Sequence, residues 1–93
     1  MNSSRTIVPE SAGTAANYAL GAARNCVVRM AELDPGYQRE LVRGFAAYMQ
    51  TVCEAIEIAS RGPGAPPDWV SAVTIGASDA WDALGRALRG IAP

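Results

Sequence analysis

Apolar residues recur along this chain at helical spacing in three runs, separated by proline and glycine. The first run is Ala16, Ala19, Ala23, Cys26 with Val27, Met30 and Leu33, and Asn17, Arg24, Asn25 and Glu32 lie opposite. It predicts a helix over 10–33, after an N-terminal arm over 1–9. Pro9 suits a first helical position and Glu10 a first turn, while Ser11 and Thr14 are alternative caps, so the start falls between 9 and 14. Gly13 and Gly21 each cost this helix about 1 kcal/mol relative to alanine. In return, small residues at three- and four-residue spacing let a partner helix approach closely.

Asp34-Pro35-Gly36 ends that run, because the residue before a proline avoids the α region. Asp34 can then cap a second helix that has Pro35 at its first position. A break this short makes the two helices antiparallel neighbours. The second helix, over 35–60, carries two adjacent stripes: Tyr37, Leu41, Phe45, Tyr48, Val52, Ala55 and Ala59, then Val42, Ala46, Met49, Cys53 and Ile56. Its polar strip is narrow, comprising Arg39, Arg43, Gln50, Glu54, Glu57 and Arg61. An apolar face this wide exceeds what one neighbour covers. Helix 2 is therefore expected at the centre, packed on helix 1, on helix 3 or on a second copy of itself.

Residues 61–67 form a linker rich in proline and glycine, which break helix and sheet, and Pro66-Pro67 favours a stiff extended path. Asp68 is a plausible cap for a third helix over 68–91. Its stripe is Trp69, Val73, Ala77, Ala80 with Trp81, Leu84, Leu88 and Ile91, and its arginines fall late, as the helix dipole favours. Gly76 and the β-branched residues from Val70 to Ile75 leave open a kink there, or a start only near Ser78. The whole chain, 1–93, reads as a single all-α domain: a long antiparallel hairpin, a Pro/Gly-rich crossover and a third helix.

Composition narrows the chemistry. Hydrophobic residues make up 49% of the chain, which argues for a folded core, much of it alanine. There is no histidine, and all eight basic residues are arginine. The net charge of −1 is not the basic footprint of a nucleic-acid binder. A helix-turn-helix would also need a shorter pair at a steeper angle. The N-terminus has no apolar stretch of signal-peptide type, and no run is long enough to span a membrane, so a cytoplasmic location with reduced thiols is expected.

With no histidine to act as base, a nucleophilic cysteine is unexpected. In a hairpin turning near 34–35, Cys26 lies level with residue 43 and Cys53 with residue 16. The thiols are then about 15 Å apart along the axis, too far for a disulfide. Both cysteines read as buried small hydrophobes. Zinc would need several carboxylates, and the acidic residues are scattered, so no metal, cofactor or catalytic residue is expected. The diagnostic tripeptide of the secreted helical hairpins with a Trp-x-Gly turn is also missing.

What remains is packing surface. The expectation is a non-enzymatic protein-protein interaction module, assembled as a dimeric bundle. It would serve as a regulatory or adaptor subunit, or as a phage-type inhibitor, for example an anti-CRISPR. Arg39, Arg43 and Gln50 are the expected partner contacts. The alternative is a small-molecule binder with an apolar pocket between helices 2 and 3, lined by Tyr48, Met49, Trp69 and Trp81.

Overall fold

A computed structural model of the protein describes residues 9–32 and 35–90. Every regular element among them is helical: α1 (Pro9–Glu32), a 3₁₀ turn (Pro35–Tyr37), α2 (Gln38–Ser60) and α3 (Asp68–Leu88). The arm over 1–8, the Leu33-Asp34 junction and residues 91–93, including Ile91, lie outside the described residues.

The boundaries follow from local chemistry. Proline has no N–H to give and glycine is a poor helix former, so the chain tightens into one 3₁₀ turn before α2 settles at Gln38. Pro67, not Asp68, holds the cap position of α3, and its carbonyl accepts from the Val70 N–H at 3.1 Å. Asp68 is the first helical residue, where its charge suits the dipole. α3 runs unbroken through Gly76 and ends at Leu88. Gly90 stops it there: at φ +74° it takes the left-handed conformation that terminates helices, and its N–H reaches the Ala87 carbonyl at 3.1 Å. Gly64, at φ +85°, makes the corresponding turn in the linker.

The central helix is α1, which corrects the expectation drawn from the wide face of helix 2. α1 makes the most extensive contact with α2 and a smaller one with α3, whereas α2 and α3 touch least. The reason is side-chain size. Helix separation is set by the side chains at the contact, and α1 offers Ala12, Ala16, Ala19 and Ala23, all essentially inaccessible. Leu20, missing from the sequence-derived stripe, is buried with them.

Glycine opens the α1–α3 seam further. A Cβ on Gly13 would stand 2.9 Å from the Trp69 ring, and one on Gly76 would stand 2.6 Å from Leu20 Cδ2. These two contacts share one offset of 56 positions, so levels along α1 and α3 advance together. On the other side of α1, Cys26 Sγ would lie 3.5 Å from a Cβ on Gly44. The core gathers around Phe45, Val52 and Val73, the largest fully buried side chains, and among the described residues it holds no buried polar residue. Measured over Cα atoms, the molecule is 14 Å in its smallest dimension. That is about two helices thick, so every helix keeps a face in solvent.

The glycines of α1 should therefore respond oppositely to alanine. Gly13→Ala is expected to lower stability by about 1–3 kcal/mol by lifting Trp69. Gly21→Ala, where a Cβ meets nothing within 4 Å, should raise it by up to about 1 kcal/mol. Urea unfolding followed by circular dichroism measures both, and equal responses would refute this account of the seam.

Candidate functional site: the seam between α2 and α3

α2 and α3 touch least, and their seam opens at one end. The first two turns of α2 contribute Gln38, Arg39, Val42 and Arg43 there, and the last turn of α3 contributes Leu88, around a groove of about 380 Å³. Arg39 and Arg43 are four apart, so both guanidinium groups stand on one flank of α2. Both are exposed, and among the described residues neither has an ion-pair partner. Val42 is half-buried and Leu88 is 50% exposed.

Further along the seam, Trp81 stacks edge-on against Phe45, with ring centroids 4.9 Å apart and planes at 75°. Phe45 is sealed, while Trp81 is 50% exposed. Trp81 and Leu88 are seven residues apart on the same flank of α3, about 10 Å along its axis. The seam thus presents two apolar anchors on α3 and two unpaired cations on α2. An arginine-tryptophan surface of this kind is typical of the residues that dominate protein interfaces.

The expected contact residues divide. Arg39 and Arg43 come together at the groove. Gln50 does not line it: its amide donates to Glu54 Oε2 at 3.4 Å, a turn further along the exposed strip. The four expected pocket residues do not share a wall. Met49 is buried in the core and Tyr48 packs against it. Trp69 sits on α1 at Gly13, with its buried indole N–H unpartnered, while Trp81 sits on α2 at Phe45. Twelve residues of one helix separate the two indoles by about 18 Å. Gln38, Val42 and Leu88 are not among the expected contacts, although Val42 and Leu88 stand on the apolar stripes. The available signal was that Trp81 and Leu88 crowd one edge of the α3 stripe.

The cysteines are free. Cys26 is half-buried, and burial pushes its thiol above the ordinary value of 9.0, opposed by the charge of Arg29. Cys53 is exposed, which corrects the expectation that both thiols are buried; it lies on the outer edge of the second stripe, beyond the reach of α1 and α3. Among the described residues no group of three or more histidine, cysteine or carboxylate side chains is placed to hold a metal. Among them, too, no helix is long and apolar enough to cross a membrane.

The chain matches no protein-family model, no curated protein and no solved structure.

The thiols should separate chemically. Cys53 is expected to react with a thiol-specific reagent at neutral pH well before Cys26, which is partly shielded and held protonated. Mass spectrometry of the partly labelled protein tests the order. Because the Cys26 pKa is raised in the fold, its neutral form contributes stability that is present below pH 9.0 and lost as pH rises through the folded value. Cys26→Ala should remove that part of the alkaline decline.

Proposed function

We propose that this chain is a small non-enzymatic interaction module that docks on a protein partner through the α2–α3 seam and pairs with a second copy of itself. A regulatory or adaptor subunit and a phage-type inhibitor both work by such docking. The observation that carries the reading is the pair of unpaired guanidinium groups, Arg39 and Arg43, beside the half-exposed Val42 and Leu88. Unpaired exposed cations steer an acidic surface toward the groove and fix its register. Leu88 and Trp81 supply apolar area of the kind that holds a partner once it has arrived.

An antiparallel hairpin of α1 and α2 underlies this reading. It is supported by Cys26 lying against Gly44, close to the level that a turn near 34–35 requires. It is supported again by Phe45 meeting Trp81 while residues earlier in α2 meet Leu88, later in α3. Pairing with a second copy is supported by the thinness of the molecule, 14 Å, and by its exposed large apolar side chains. The pocket alternative draws no comparable support, since the two indoles lie on different seams.

Arg39→Glu and Arg43→Glu should each weaken binding to a partner recovered by pull-down on the order of tenfold. Both should leave the circular dichroism spectrum and melting temperature unchanged, because the side chains are exposed and unpaired. Gln50→Ala should bind like the unaltered protein. Titration calorimetry reads all three, and charge reversals without effect on affinity would remove the seam as the docking site.

A further inference from the structure

The flank that α1 and α3 turn away from α2 carries exposed side chains that the chain's own packing leaves uncovered, and across it the Arg24 guanidinium lies over Gly76, with Nη2 2.9 Å from where a Cβ would stand. Arg24, Val27 and Val28 of α1 and Asp79, Ala80 and Ala83 of α3 line an apolar groove of about 260 Å³. Val28 is 51% exposed on this flank, and Ile75 is 62% exposed one turn before Asp79. Arg24 and Asp79 border the same groove, yet among the described residues they form no ion pair. Gly21 lies one turn before Arg24. Gly13, Gly44 and Gly76 each face a close neighbour, but a Cβ on Gly21 would meet nothing within 4 Å. A mid-helix glycine costs about 1 kcal/mol, and no contact within the chain calls for it here.

We propose that this α1–α3 flank binds a second copy of the chain, related by a twofold axis running along the groove. Such an axis lays α1 of one copy on α3 of the other without changing the level of any residue. The shared offset of 56 positions then decides what meets what. Arg24 falls level with Asp79 of the second copy, to within one residue, or about 1.5 Å. Val28 falls on Ala83 to the same tolerance. Ile75 falls within two residues of Gly21, and Glu32 within two of Arg86, each about 3 Å.

At these levels Val28 and Ile75 each stand opposite a small residue, and Arg24 and Glu32 each opposite a residue of the other charge. A twofold makes every contact twice. The face is about 30 Å long and 20 Å wide. That footprint approaches the roughly 800 Å² per partner of a standard interface.

The proposal rests on the reading of the chain as self-associating, and the following test separates the two. Light scattering coupled to size exclusion gives the oligomeric state of the full chain at micromolar concentration. The unaltered protein is expected to be a dimer; a monomer would overturn this proposal and the self-association reading together. Arg24→Asp alone and Asp79→Arg alone each set like charges opposite one another twice, and should raise the dissociation constant on the order of tenfold or more. An equimolar mixture of the two variants should recover the dimer, because each mixed contact again joins opposite charges. An ion pair within one chain cannot be rescued by mixing. Variants that remain dimeric alone, or a mixture that stays monomeric, would overturn this face while leaving self-association standing. Gly21→Leu gives an independent arm, since it adds bulk only outside the chain's own packing. It should yield a monomer with the helical circular dichroism spectrum of the unaltered protein, and a folded dimer would count against the proposal.

Discussion

Two helices can reach α1 because its inner flank is nearly bare of side chain. Ala12, Ala16, Ala19 and Ala23 leave only methyl groups between the backbones, and Gly13 and Gly76 remove even those where Trp69 and Leu20 cross. Short interaxial distances bring backbone atoms into dispersion contact, which recovers part of what a core of small residues gives up in apolar area. Most of the bulk is supplied from outside α1, by Phe45 and Val52 from α2 and Val73 and Leu84 from α3, while α1 adds Leu20 and Val27. At Gly76 the roles reverse, and α3 gives way to Leu20.

That distribution of bulk explains which parts of the fold were legible in the sequence. Helical spacing and proline punctuation were sufficient for three helices, because each apolar run is long and each break contains residues that cannot continue a helix. Which helix sits in the middle is not legible in the same way: a wide apolar face points to a central position, and on that ground the sequence favours α2, whereas the structure places α1 there. Centrality here follows from smallness. A run of alanines has little hydrophobic amplitude, yet it is the surface on which two neighbours converge. Tyr37 shows the limit of a stripe at its end: placed on the first stripe of α2, it falls in the 3₁₀ turn and is 58% exposed.

The seam between α2 and α3 was legible in part for a related reason. Arg39 and Arg43 stood out because charge on a mostly apolar helix is conspicuous, and four-residue spacing puts both on one flank. The apolar half of the candidate site is not legible in this way. Trp81 and Leu88 belong to the α3 stripe, and a stripe cannot say which of its edges is left uncovered. That depends on how far α2 and α3 splay, which their separate contacts with α1 decide. The four residues expected around a pocket separate on the same point: Trp69 and Trp81 share a stripe, but one edge of it faces α1 and the other faces α2.

The separation in sequence between α1 and its α3 contacts bears on the order of assembly. Bringing α1 and α2 together closes only the short turn around Pro35–Tyr37. Seating Trp69 on Gly13 joins positions 56 apart, a longer loop with a higher closure entropy. Local contacts form faster than distant ones. Closure entropy therefore favours the α1–α2 contact over the longer-range docking of α3, whose path runs through the left-handed Gly64. That docking gives the Phe45 ring its indole cover, so the contact that costs most chain entropy both closes the core and forms the seam.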